Sequence, residues 1–94
     1  MEFGKRHRLL PEGDLMHVTV ILFASLAHFS PGGLPGTPFG VDLPEFTTIQ
    51  GLIAHLHMPG EETKVLFVNG LIRDLDWVLQ PDDVVGIFPP IGGG

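Results

Sequence analysis

The stretch that decides the fold is "VTVILF", residues 18–23, which is β-branched or apolar throughout. Such residues favour strands, and an unbroken run of them is typical of a strand that is buried on both faces. "VVGIF", residues 84–88, is a second run of this kind. We therefore predict that the first and last strands of the domain lie side by side at the centre of a sheet.

Between these two strands, "TTIQGLIAHLHM", residues 47–58, carries the clearest helix signal. Thr47 and Gln50 have the spacing of a capping box, and Pro59 with Gly60 should end the helix. Apolar residues recur at helical spacing, so that one face of this helix is expected to pack against the sheet. They are Ile49, Leu52, Ile53 and Leu56.

Short strands and turns complete the pattern. "VDLPEF" predicts a strand in which Pro44 marks an edge or the end. "KVLFVNGLIRDL" predicts a hairpin that turns at Asn69-Gly70, and "QPDD" predicts a further turn. Prolines and glycines predict a loop across residues 29–40, whose role the sequence leaves open. The order β-β-α-β-β-β predicts an α+β fold, a mixed sheet of about five strands with one main helix on one face.

The N-terminal residues have no clear period. We expect residues 1–15 to be a disordered arm or an over-extended start, because a second methionine, Met16, opens the first strand region. The folded domain is then expected to span residues 16–94. A nuclear-localisation or nucleic-acid reading of "KRHR", residues 5–8, is the alternative, although short basic runs are common by chance.

Charge narrows the classes of partner. The chain has 11 acidic and 5 Lys or Arg residues, and only Lys64 and Arg73 of the latter follow residue 15. Nucleic-acid binding requires clustered cations, so we expect no nucleic-acid partner, whereas an acidic surface suits a basic protein partner. The chain has no cysteine, and no apolar run reaches the length of a membrane helix. We expect a cytoplasmic protein without a membrane partner.

No side chain has the pattern of an autonomous catalyst, which leaves the assignment as an enzyme uncertain. His55 and His57 lie two residues apart in the predicted helix, so they point to different faces and cannot form an i, i+4 metal pair; no metal site is expected. The aspartates fall in turn-like sequence, where local hydrogen bonding is their usual role. They are Asp74, Asp76, Asp82 and Asp83.

The chemically unusual feature is the terminal sequence "FPPIGGG", residues 88–94. Pro89 and Pro90 impose an extended exit that cannot continue as a central strand, so the tail is directed away from the sheet. Glycines 92 to 94 lack Cβ atoms and can enter a narrow channel. These features predict a tail, residues 89–94, that presents the carboxylate of Gly94 to a partner's active site. A frayed end is the alternative.

The ending "IFPPIGGG", the opening "VTVILFASL", the "VNG" turn and the element order together resemble the ubiquitin-like sulfur carriers of the MoaD/ThiS family. The double proline is most similar to the MoaD-type small subunit of molybdopterin synthase. The resemblance covers about residues 16–94 and implies a ubiquitin-like β-grasp fold. Here Gly92 stands where the family often has Thr or Ala, and "QPDD" replaces its commoner Asp-Gly-Asp turn.

The resemblance also implies a mechanism. An E1-like activating enzyme of the MoeB/ThiF type would use ATP and Mg²⁺ to adenylate Gly94, and a sulfur donor would convert it to a thiocarboxylate. The tail would then enter the large, MoaE-type subunit of the synthase and donate sulfur for the molybdenum or tungsten cofactor. Gly92 and Gly93 would thread, and the carrier itself would bind no cofactor. The partner-binding residues that the resemblance implies are Phe23, Ile72, Phe88, Pro89, Pro90 and Ile91.

Three alternatives stay open at this point. The chain could be a ThiS-type carrier for thiamine thiazole or another sulfur-transfer pathway, a ubiquitin-like modifier conjugated to lysines, or a plain binding domain with an inert tail. The acceptor, the metal, the assembly state and the choice of Met1 or Met16 as the start are not determined by the sequence.

Overall fold

Five strands form one mixed sheet in the order β2-β1-β5-β3-β4. The computed structural model describes residues 14–59 and 65–89. The strands are β1 (Leu15–Leu22), β2 (Phe39–Pro44), β3 (Val65–Val68), β4 (Leu71–Ile72) and β5 (Val84–Phe88). A 3₁₀ helix, Ala24–Phe29, follows β1, and α1 spans Ile49–His55. The predicted β-β-α-β-β-β order is confirmed.

The first and last strands lie side by side at the centre of the sheet, as predicted, and the structure shows that they pair in parallel. β1 also pairs with β2, and β5 with β3, both antiparallel. The prediction that β1 is buried on both faces is wrong, because its residues alternate between buried and more exposed positions. Only one face of this central strand is covered by the helix side of the domain. The last strand, β5, lies in the middle of the sheet between β1 and β3.

The helix covers one face of the sheet with Ile49, Leu52 and Ile53, all buried. The predicted cap is off by one residue: Thr48, not Thr47, is the N-cap, and its hydroxyl accepts a hydrogen bond from the N–H of Gly51 at 3.1 Å. The helix also ends earlier than predicted. Its C-cap is Leu56, and the following residue, His57, has a left-handed φ of 61°.

The core lies between the helix and this covered face. Branched aliphatic residues fill it, as expected for a sheet with one packed face. The buried core residues are Met16, Val18, Val20, Leu22, Leu26, Val41, Leu43, Ile49, Leu52, Ile53, Met58, Leu66, Val68, Leu79, Val85 and Ile87.

The predicted hairpin and turn are both present. Asn69 and Gly70 have φ values of 52° and 86°, the left-handed pair that a tight two-residue hairpin needs. Asp83 has the turn role predicted for the aspartates: its carboxylate accepts from the N–H of Gln80 at 2.8 Å and from the Asn69 side-chain amide at 2.9 Å. The Asn69 side chain also accepts from the N–H of Val84. This network ties the hairpin turn to the start of β5.

Candidate protein-docking face

The face of the sheet opposite the helix carries aromatic rings at the end of β5. Phe88 is the last residue of β5, and its ring is stacked on that of Phe23 with 4.1 Å between centroids and 2° between planes. Phe23 directly follows β1, and its N–H donates to the carbonyl of Ile87 at 3.1 Å. The parallel pairing of the central strands therefore brings together two rings that are 65 positions apart in sequence.

A third ring, Phe67 of β3, meets Phe88 edge-on, with centroids 5.6 Å apart and planes at 73°. Gly86 lies beneath the three rings, and a Cβ placed there would be 3.5 Å from the Phe23 ring. The missing side chain leaves room for the Phe23 ring to lie close to the strand. Stacked and edge-to-face pairs are both favourable arrangements of aromatic rings. We call Phe23, Phe67 and Phe88 the aromatic face.

Ile72 extends this face towards the edge of the sheet. It is paired with Phe67 in the register of β3 and β4, so both side chains lie on the same side, and Ile72 is 67% exposed. The structure thus brings together three of the residues that the family resemblance implied for partner binding, Phe23, Ile72 and Phe88. Exposed apolar surface on a sheet is a feature of protein-docking sites.

Phe67 was missed at the level of sequence. The sequence of β3 is apolar throughout, and only its burial in the structure separates the half-buried Phe67 from the buried Leu66 and Val68. Gly86 has no sequence signal either, since its role depends on the ring of Phe23, which follows β1.

The described chain ends at Pro89, which is half-buried and directly follows Phe88. Pro90, Ile91, Gly92, Gly93 and Gly94 lie outside the described residues. Their predicted roles in directing, threading and carrying sulfur stay predictions, as does the proposed arm at residues 1–15, of which only Asp14 and Leu15 are described.

Two other histidines on the described chain, His17 and His28, have hydrogen-bonding partners. His17 contacts the Asp42 carboxylate at 2.9 Å, and the His28 ring lies 2.7 Å from the Ser25 carbonyl. Within residues 14–59 and 65–89, no cluster of three or more His, Cys, Asp or Glu side chains could hold a metal ion.

Electrostatically, the described surface is acidic. Arg73 is the one Lys or Arg in the described ranges, and its guanidinium lies 4.0 Å from the centroid of the Trp77 ring. Seven Asp or Glu residues fall in the same ranges. An acidic surface of this kind favours encounter with basic protein surfaces. No helix of these ranges is long and apolar enough to span a bilayer.

The fold and the open aromatic face define a ubiquitin-like β-grasp protein. The model of the ThiS family matches residues 20–94, and the chain belongs to that family. The match includes the terminal glycines. No curated protein matches the sequence significantly.

Solved structures share this fold. The putative molybdopterin converting factor subunit 1 from Pyrococcus furiosus has a TM-score of 0.64 at 27% identity, over 81% of this chain and 99% of that chain. The small archaeal modifier protein 1 of Haloferax volcanii has a TM-score of 0.63 at 21% identity over the same shares. The small archaeal modifier protein 1 of Methanosarcina acetivorans has a TM-score of 0.63 at 22% identity, over 87% of this chain and 100% of that chain. Each of the two modifiers is similar to this chain in fold.

Proposed function

We propose that this chain is a sulfur carrier of the MoaD type, the small subunit of a molybdopterin synthase. The observation that carries the proposal is the family match that extends to Gly94, on a chain whose last strand ends in the aromatic face. The similarity to the Pyrococcus converting factor subunit supports the molybdopterin branch over the thiazole branch.

In this proposal the chemistry takes place at the main-chain carboxylate of Gly94. A carboxylate is a poor electrophile, so a partner enzyme first activates it: one carboxylate oxygen attacks the α-phosphorus of ATP, and pyrophosphate leaves. A sulfur nucleophile at the oxidation level of sulfide then attacks the carbonyl carbon. The C–S bond forms as the C–O bond to AMP breaks, which leaves a thiocarboxylate. ATP and Mg²⁺ belong to the activating enzyme.

The carrier's own part is recognition. Phe23, Phe67 and Phe88, with Ile72 beside them, offer a rigid apolar surface next to the point where the chain leaves the sheet. A partner that covers this surface gains affinity there and receives the tail at a fixed position. The same surface would serve in turn the E1-like activating enzyme and the MoaE-type large subunit.

Intact mass spectrometry of the protein from its own cells tests the proposal. Replacement of one oxygen by sulfur at Gly94 is the expected result, and a chain lacking Gly92, Gly93 and Gly94 is the control that should stay unmodified. Branched peptides with Gly94 joined to lysine would instead identify a modifier. A terminus that stays unmodified in the presence of the cognate activating enzyme and sulfur donor would contradict both functions.

The acceptor pathway needs a separate measurement. Co-purification with a synthase large subunit is expected, and co-purification with a thiazole synthase would move the chain to the thiamine branch. Persistence of sulfur transfer in a chain that lacks Gly92, Gly93 and Gly94 would contradict the role of the glycine tail, because its terminal carboxylate would belong to Ile91.

A further inference from the structure

β2 forms one edge of the sheet, with β1 on its inner side and no described strand on its outer side. The N–H of Glu45 donates to the carbonyl of Asp14 at 3.2 Å, which makes these two residues a hydrogen-bonded pair just beyond the end of the ladder. Hydrogen-bonded and non-hydrogen-bonded pairs alternate along antiparallel strands. The pairs His17–Asp42 and Thr19–Gly40 are therefore of the non-hydrogen-bonded kind.

The β1 partners of these pairs confirm this orientation. The N–H of Thr19 donates to the carbonyl of Asp83, and the carbonyl of His17 accepts from the N–H of Asp82, so both groups point away from β2. Gly40 and Asp42 opposite them must direct their own N–H and C=O groups to the outer side of β2. An edge with free donors and acceptors is a template for a further strand.

A groove adjoins this edge on the helix side of the sheet. An open recess of about 380 Å³ is lined by the apolar side chains of Phe29, Phe39 and Leu56 together with polar residues that include Asp42 and His55. A second recess of about 180 Å³, lined by Leu34, shares Phe39 with the first. Phe39 is the first residue of β2, so both recesses adjoin the start of this edge strand, in position to receive side chains of an added strand.

The two sides of this edge differ in chemistry. The second recess is mainly apolar and the first combines apolar side chains with polar groups, whereas the Asp42 carboxylate lies with His17 on the side of the sheet opposite the helix. Asp14 and Glu45 add two exposed acids at the end of β2. β1, β2 and α1 contain no Lys or Arg. A strand added here would meet apolar walls with every second side chain and carboxylates with the others.

We propose that the outer edge of β2, with its two recesses, binds an extended segment of a partner protein in which apolar and cationic side chains alternate. The outward groups of Gly40 and Asp42 pair with the backbone of that segment, Phe29, Phe39 and Leu56 receive its apolar side chains, and Asp42 attracts its Lys or Arg. This site is separate from the aromatic face, so it does not depend on the proposed function.

Amide NMR of the ¹⁵N-labelled full chain, titrated with an acetylated hexapeptide that alternates Val and Lys, tests the site. We expect saturable shifts at the amides of Gly40 and Asp42 and at Phe39, with a dissociation constant of about 1 mM or tighter, the range of weak recognition. A matched peptide that alternates Val and Glu should bind at least about tenfold more weakly, because it reverses the charge.

Two substitutions of Asp42 distinguish the contribution of its backbone N–H to binding from that of its carboxylate charge. Asp42→Pro removes the outward N–H, which an edge strand tolerates, and should abolish the shifts. Asp42→Asn loses the same carboxylate but keeps the N–H, and should weaken binding by only about threefold, the effect of one exposed charge pair. Amide signals of β5 report whether Asp42→Pro keeps the fold.

A surface variant tests the groove without any change to the strand. Leu34→Lys, at a residue 62% exposed in the second recess, should weaken binding at least about fivefold through charge repulsion and lost apolar contact. Leu71→Lys, at a residue 58% exposed on the opposite edge strand, is the matched control and should leave the affinity unchanged.

Three results would overturn the proposal. The first is the absence of shifts, and the second is a set of shifts centred on the aromatic face with Asp42→Pro still binding. The third is slow hydrogen exchange at Gly40 and Asp42 without peptide. If that protection rose with protein concentration, a second copy of the chain would be the occupant.

Discussion

The two faces of the sheet differ in what their side chains do, although the same strands supply both. In β5, Val85 and Ile87 point to the helix and are fully buried, whereas Val84 is 40% exposed and Phe88 half-buried on the other face. On the helix side, aliphatic groups interlock with a second layer. On the open side, aromatic rings pack mainly on one another. One face maintains the fold, and the other presents an ordered apolar surface.

The difference has an energetic basis. Fully burying a branched aliphatic side chain stabilises the fold by about 1.5–3 kcal/mol, and the gain falls with the exposed fraction. Residues on the open face are therefore expected to contribute less to folding than their size suggests. Apolar residues kept there without a covering layer indicate selection for contact with another molecule.

Substitution of two adjacent valines, one on each face, gives the strongest test of this difference in stability contribution. Val85→Ala removes two buried methyl groups and leaves a cavity, so it should lower the free energy of unfolding by about 2–4 kcal/mol. Val84→Ala removes the same atoms from the open face and should cost less than about 1 kcal/mol. Urea unfolding of both variants measures the difference. Similar losses would show that the open face is packed as firmly as the core.

Phe88 tests the recognition side of the comparison. Phe88→Ala should reduce kcat/KM for adenylation by the cognate activating enzyme at least about tenfold, as truncation of a central aromatic contact does at interfaces. Leu71→Ala removes an exposed apolar side chain that pairs with Val68, away from the aromatic face, and should leave kcat/KM within about twofold. A stability loss without a kinetic effect would make Phe88 a structural residue only.

The sequence was sufficient for the strands and turns because their signals are local. The Asn69-Gly70 turn and the β-branched runs do not depend on distant residues. The wrong prediction that β1 is buried on both faces has a physical reason. Ile21 and Phe23 belong to the open face, and an apolar open face removes the polar alternation that distinguishes a half-buried strand from a fully buried one.

Features that depend on distant contacts could not be predicted in this way. The helix cap fell on Thr48 because two adjacent threonines offer the same hydroxyl, and only the backbone geometry selects one. The 3₁₀ helix at Ala24–Phe29 has no 3.6-residue period to reveal it. Phe23, Ile72 and Phe88 came from the family resemblance, whereas Phe67 and Gly86 emerged only once β3 and β5 were placed side by side.

The helix that covers the closed face offers a smaller test. Thr48→Ala removes the hydroxyl that accepts from the N–H of Gly51, and should destabilise the domain by about 1 kcal/mol. Thr48→Ser keeps a capping oxygen and should restore most of that stability. Amide shifts in Thr48→Ala should be confined to the helix side. Shifts that reach Phe23 or Phe88 would show that the two faces are coupled through the sheet.

Gly86→Ala should have the smallest effect, and its sign discriminates between loose and tight packing of the aromatic face. An added Cβ would lie 3.5 Å from the Phe23 ring and 4.0 Å from Phe67 and Phe88, which are ordinary contact distances. Replacing a strand glycine also removes backbone freedom from the unfolded chain, so we expect a gain of about 0.5 kcal/mol in the free energy of unfolding. A loss of more than about 1 kcal/mol would mean that the methyl group disturbs the packing of the rings even at these distances. The aromatic face would then be packed like a core, and its exposure alone would no longer argue for a docking role.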